Sequence, residues 1–125
     1  MDVHHLALWV SDMDATRSFY ADTIGLDRVR SMVDGDTEHF FVRGETDHQI
    51  QFKCEPGRTV AADRSQIDHL AIVVDDLAAT LDRVRAGPTD VVRKPVTIEE
   101  GVFGTQTVAF VADPDGYVLA LIEPQ

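Results

Sequence analysis

The feature that most limits what this chain can fold into is a repeat. The stretch His5-Leu6-Ala7-Leu8-Trp9-Val10-Ser11-Asp12-Met13-Asp14-Ala15-Thr16 returns, 64 residues on, as His69-Leu70-Ala71-Ile72-Val73-Val74-Asp75-Asp76-Leu77-Ala78-Ala79-Thr80. Seven of the twelve positions are identical, and Leu8/Ile72 and Met13/Leu77 are conservative. A period of half the chain is too long for a solenoid and describes two copies of one supersecondary unit. In each copy apolar alternation runs into an Asp and then a helical pattern, the signature of a strand entering a capped helix. Alternation puts Leu6, Leu8 and Val10 on the face that the helix covers, and His5, Ala7 and Trp9 on the other. In the second copy Leu70, Ile72 and Val74 oppose His69, Ala71 and Val73. Each histidine therefore faces away from the helix, and function is to be sought there.

Taken in order, a strand at Val3–Val10 leads into a helix capped by Ser11 or Asp12 and running to about Ile24. Met13, Thr16, Phe19, Tyr20 and Ile24 are spaced for one face of it, and Gly25 is its stop. Strands follow near Leu26–Val33, Glu38–Arg43 and His48–Lys53, with Asp34-Gly35 as a hairpin turn. The second copy predicts a strand at Ile67–Val74, a helix at Asp76–Ala86 closed by Gly87-Pro88, and a strand near Val91–Thr97. A Glu99-Glu100-Gly101 loop, read as mobile, then precedes a strand near Thr105–Ala112, the turn Asp113-Pro114-Asp115-Gly116 and a last strand near Tyr117–Ile122. The expected architecture is one α+β domain over residues 1–125, made of two β-α-β-β-β modules (1–53 and 66–125) joined by an irregular linker (54–65).

Sixteen Asp and six Glu face nine Arg and two Lys (Lys53, Lys94), a formal net charge of −11. Such a chain repels phosphate backbones, so nucleic acid is not an expected partner. No apolar run reaches the roughly 20 residues of a membrane span, and Met1-Asp2-Val3-His4 does not read as a signal peptide. The lone cysteine, Cys54, allows no internal disulfide and reads as an inert small residue. A cytoplasmic protein is the expectation, and the abundance of Asp over Lys reads as a halophile's solvated surface, whose self-repulsion concentrated salt would screen.

The opening His5-Leu-Ala-Leu-Trp-Val-Ser-Asp, Ser18-Phe19-Tyr20 with Ile24-Gly25-Leu26, the second His69-Leu-Ala and the ending Asp113-Pro114-Asp115-Gly116-Tyr117 together resemble the vicinal oxygen chelate superfamily. That group includes glyoxalase I, bleomycin-resistance proteins, fosfomycin-resistance enzymes, methylmalonyl-CoA epimerase and extradiol dioxygenases. The likeness spans essentially the whole chain, is specific for the fold rather than the reaction, and is strongest to small bacterial glyoxalase I. It implies curved half-barrel sheets, a homodimer and one divalent metal held from the first and last strands of each module. The ligand positions fall on His5, Gln51, His69 and Ala120. Gln51 stands where bacterial glyoxalase I has glutamate but matches the epimerase. Ala120 departs from all the metal-dependent branches, which place there a glutamate that ligates the metal and, in glyoxalase I, also handles the substrate proton.

Alternation gives the same register independently. Ile50 and Phe52 suit the helix side, leaving Gln49, Gln51 and Lys53 on the face of His5. Leu119 and Leu121 suit the core, leaving Val118, Ala120 and Ile122 opposite. His4 and His48 fall on the wrong faces, and His39 is undetermined. A His/Gln/His set suits Zn²⁺, Ni²⁺ or Co²⁺ with reduced affinity. Three functions follow from the resemblance. In the first, a glyoxalase I-like lyase or isomerase acts on a small 2-oxo or thiol-adduct substrate through a metal-stabilised enediolate, with Glu99 or Glu100 as candidate bases. The second is a metal-free small-molecule binding protein of the bleomycin-resistance type, whose apolar second half-site is complemented by Trp9 stacking on a planar ligand. A ring-cleaving dioxygenase comes third, since its iron needs a carboxylate beside two histidines.

Overall fold

Both copies of the repeat fold as the alternation predicts, each a short strand running into a capped helix. The computed structural model describes residues 1–125, which form two compact units, Met1–Ala61 and Ala62–Gln125. In the first unit, β1 (His5–Trp9) leads to α1 (Met13–Arg17), which continues into a π-helical segment (Ser18–Ile24). Three strands follow, β2 (Asp27–Asp34), β3 (Thr37–Arg43) and β4 (Gln49–Cys54). In the second, β5 (Leu70–Val73), α2 (Leu77–Ala86), β6 (Val91–Gly101), β7 (Gly104–Ala112) and β8 (Val118–Pro124) repeat the order. Each unit closes a four-stranded mixed sheet of the same topology, β1-β4-β3-β2 and β5-β8-β7-β6. The first and last strands of each module pair in parallel and the other pairs are antiparallel. The expected α+β architecture of two β-α-β-β-β modules is therefore present.

The repeat extends to the caps. Asp12 accepts a hydrogen bond from Ala15 N at 3.1 Å, and Asp76 accepts one from Ala79 N at 3.0 Å. Thr16 and Thr80 each donate to the cap carbonyl at 2.9 Å. Each carboxylate cap satisfies an otherwise orphaned N–H and stabilises its helix by about 1 kcal/mol. Ser11, the other cap candidate, instead accepts from Val60 N at 2.6 Å and pins the end of the unit to the strand exit.

The helical face expected from spacing is the buried one, with Met13, Thr16, Phe19, Tyr20 and Ile24 all inside. The wide turn was not foreseen. Gly25 N and Leu26 N both donate to Tyr20 O, at 3.2 and 3.0 Å, and Gly25 adopts φ +96°, a left-handed stop. A π turn has more residues per turn than an α turn, and here the adjacent Phe19 and Tyr20 rings both enter the core. Tyr20 lies 4.4 Å from Phe52, centroid to centroid, and Phe52 stacks on Phe40 at 6.2 Å. The second core gathers Leu81, Val84, Val111, Leu119 and Leu121, all essentially solvent-free. Complete burial of such side chains contributes about 1.5–3 kcal/mol apiece.

Some boundaries differ from expectation, with β1 starting at His5 and not at Val3. β5 begins only at Leu70, so His69 stands just before the strand. Arg64 is left-handed (φ +67°) and closes a turn onto Asp68, with its guanidinium 2.8 Å from the carboxylate and 3.0 Å from the carbonyl oxygen. That turn takes up residues 64–68 before the chain can extend. In β6, Glu99 and Glu100 belong to the strand, not to a mobile loop. The ladder continues past Ile98 opposite Gln106, through a bulge, to Gly101 opposite Gly104. The reversal is at Val102-Phe103, where the buried Gln106 side chain accepts from Phe103 N at 3.1 Å. The Asp113–Gly116 turn forms as expected. The Asp113 carboxylate accepts from Asp115 N and Tyr117 N at 2.9 Å. Gly116 has φ +91°, and a side chain there would meet Ala62 O at 2.8 Å. No helix is long and apolar enough to cross a membrane.

Candidate functional site

Register fixes which side chains share the face away from α1. The parallel pairing sets His5 beside Gln49, Ala7 beside Gln51 and Trp9 beside Lys53. The next strand places Phe41 opposite Gln51 and His39 opposite Lys53, and β2 adds Arg30 beside Phe41 and Met32 beside His39. His5, Gln49 and Gln51 thus lie on one face, as alternation requires. They line an open groove of about 490 Å³ with His4, His39, Phe41, Arg30 and Met32.

Three contacts organise the groove. The Nδ1 atoms of His4 and His5 are 2.9 Å apart, so one ring donates and the other accepts, which leaves each Nε2 outside the contact. Gln51 donates from Nε2 to Nδ1 of His39 at 2.8 Å, so neutral His39 carries its proton on Nε2. The His5 ring meets Phe41 edge to face at 6.2 Å. Arg30 lies 4.8 Å over the same phenyl ring.

In the second unit, His69 donates from Nδ1 to the Asp68 carboxylate at 2.7 Å. That contact leaves the Nε2 lone pair for another partner, the arrangement by which carboxylates orient metal-binding imidazoles. Asp68 is held below the ordinary 3.8, first by the His69 hydrogen bond and then by Arg64. The imidazole meets Phe110 edge to face, with ring centroids 5.6 Å apart. Phe110 stands opposite Ala120, which β5 flanks with Ala71. Ala120 is 3% exposed and clusters with Val108 and Ile122, with Phe110 packed against them. This face is as apolar as expected.

Several sequence expectations need correction. His4 does not point away. It precedes β1, where alternation no longer governs it, and its ring lies against His5. Trp9 does not offer a bare ring, because the Arg58 guanidinium lies 3.7 Å and Lys53 Nζ 4.6 Å from its centroid. Glu99 and Glu100 are exposed strand residues, with no lid to carry them. His48 bonds the Val3 carbonyl at 2.6 Å and ties the start of β1 to β4. The Cys54 thiol points at Ser11 O, 3.6 Å away. His39 is the residue that sequence reasoning left out. Alternation was its only available signal, and the run Phe40-Phe41-Val42, buried throughout, erased it.

No three His, Cys, Asp or Glu side chains converge as a metal site. In the first unit the candidate donor atoms are Nε2 of His5 and Oε1 of Gln51, and in the second unit Nε2 of His69. None of the three atoms takes part in the hydrogen bonds that orient its side chain. Imidazole nitrogen with amide oxygen fits a late first-row dication.

The sequence model of the family described as Glyoxalase/Bleomycin resistance protein/Dioxygenase superfamily matches residues 2–121. The chain is 30% identical over 128 residues to a lactoylglutathione lyase of Haemophilus influenzae, covering 98% of this chain and 93% of that one. Its fold is similar to that of glyoxalase I from Zea mays, with TM-score 0.82, 22% identity and 98% of this chain covered. This chain spans about half (46%) of that longer protein. It is also similar to TnmS3, an antibiotic binding protein from Streptomyces sp. CB03234, with TM-score 0.69, 22% identity, and 100% and 97% of the two chains covered.

Proposed function

Because this chain belongs to the glyoxalase/bleomycin resistance protein/dioxygenase superfamily, we propose that it is a lactoylglutathione lyase-type enzyme. It would act on the hemithioacetal of a 2-oxoaldehyde and a thiol such as glutathione. The observation that carries the reading is the likeness to curated lactoylglutathione lyases over 95–98% of this chain. The paired presentation of His5 and His69 at equivalent repeat positions supports it.

His5, Gln51 and His69 would hold a divalent metal, Zn²⁺, Ni²⁺ or Co²⁺, in a set without an anionic member. When bound, such a cation lowers the energy of negative charge that builds on the substrate's neighbouring oxygens as a carbon-bound proton leaves. The residues of the chain orient the donor side chains. Asp68 fixes the His69 ring, and His4 fixes His5. The assay follows thioester formation from a 2-oxoaldehyde and glutathione with each metal and after chelation. His5→Ala and His69→Ala should both abolish turnover. Full activity in both variants would refute the assignment.

A second reading, metal-free binding of a small molecule, is favoured by one observation, the apolar cluster around Ala120. The proposal extends to a homodimer in the cytoplasm. A monomeric mass by light scattering in molar salt would refute the dimer.

A further inference from the structure

The Gln51 amide has two ends of nearly equal size and opposite chemistry, of which only the oxygen can face a cation. In the structure the amide is not left to choose. Its nitrogen donates to Nδ1 of His39 at 2.8 Å, and no hydrogen bond reaches its oxygen. We propose that His39 is a positioning residue that sets the Gln51 amide, nitrogen toward β3 and oxygen free as the donor atom.

The sheet makes this contact available. His39 stands opposite Lys53, and Gln51 opposite Phe41, so the two side chains are diagonal neighbours on one face, within reach for long side chains. Phe41, directly opposite Gln51 on the same strand as His39, and the Arg30 stacked on it at 4.8 Å offer the amide no hydrogen-bond acceptor. His39 is therefore the partner that distinguishes the ends of the amide. The inference rests on Gln51 being a metal-holding residue, and its test separates the two.

The experiment is a calorimetric Ni²⁺ titration of the full chain as wild type, Gln51→Ala, His39→Phe, His39→Gln and the His39→Phe/Gln51→Ala double variant. His39→Phe keeps a planar ring without an acceptor and should weaken Ni²⁺ about tenfold, the scale at which outer partners of metal-binding residues act. His39→Gln restores an acceptor and should recover most of that loss. In the Gln51→Ala background, His39→Phe should cost nothing further, since its effect passes through the amide. Equal losses in both backgrounds, or none in either while Gln51→Ala weakens binding, overturn the positioning role alone. No Ni²⁺ binding by wild type, or unchanged binding by Gln51→Ala, overturns the metal reading of Gln51 and the inference with it. A metal-independent readout is the imidazole nitrogen spectrum of His39, which should show the neutral ring protonated at Nε2. A ring protonated at Nδ1 would overturn the proposal.

Discussion

Ala120→Glu tests the site most directly, because the two readings of the second unit forecast different outcomes. The position is 3% exposed, among Val108, Ile122 and Phe110, and the polar groups His69 and Arg64 meet that cluster only at the Phe110 ring, 5.6 and 6.0 Å from its centroid. An ionised carboxylate introduced there loses water without gaining a partner. A desolvation shift of about 2 units at about 1.4 kcal/mol per unit gives a penalty of roughly 3 kcal/mol at pH 7. The sign is fixed: the folded-state value is raised, so the penalty is present at neutral pH and fades as pH falls and the carboxyl stays protonated in both states. In a domain of this size it corresponds to a fall in melting temperature of roughly 10 °C. On the metal reading, a dication bound next to the new carboxylate changes the outcome. Opposite charges about 4 Å apart interact by about 4 kcal/mol near a protein surface, enough to offset the penalty and to tighten Ni²⁺ or Zn²⁺ by tenfold or more. Thermal melts with and without metal, alongside calorimetric titration, give both quantities. The metal reading expects a depressed melt without metal, rescued by Ni²⁺ to at least the wild-type value. A depressed melt that metal does not rescue, with no gain in affinity, refutes the metal reading and favours the apolar pocket.

Asp68→Asn removes the anionic acceptor from His69 and should weaken metal binding about tenfold. Because the Asp68 carboxyl is lowered below 3.8 by His69 and Arg64, its stabilising contacts are complete above that value and lost as pH falls through the lowered one. The variant should lack that acid limb in a pH titration of stability. Phe52→Ala empties the space between Tyr20 and Phe40 and should cost about 3–5 kcal/mol in denaturant unfolding, and a loss under 1 kcal/mol would contradict the packing. The net charge of −11 should make the unfolding midpoint rise between low and molar KCl as repulsion is screened, and equal midpoints would count against a halophilic surface.

The fold was legible because the repeat carries its own punctuation. His-Leu-Ala, the Asp caps and the buried helical positions recur 64 residues apart, and period-two alternation put His5, Gln49 and Gln51 on one face without any structure. What stayed hidden has definite causes. The π turn after Ser18 buries the same residues that α-helical spacing puts on one face, so the apolar pattern carries no sign of it. β6 runs through Glu99 and Glu100 because pairing with β7 overrides two residues of low strand propensity. His39 was masked by a run of three buried apolar neighbours. Trp9 was read by its own chemistry, while its surroundings depend on Arg58, which follows β4 and which strand alternation cannot place.

The indole, with Arg58 and Lys53 both against it, makes the protein its own reporter. The chain contains one tryptophan, so all of its intrinsic indole emission arises from the open face of the first sheet, in the row next to Gln51. The emission energy of indole responds to charges beside the ring, and here two cations sit within 5 Å of it. An anionic ligand that draws Lys53 or Arg58 toward itself changes the field on the chromophore even if it never touches the ring. Occupancy of this face can therefore be followed in unlabelled protein, and a Lys53→Met variant would show how much of the signal that one charge contributes.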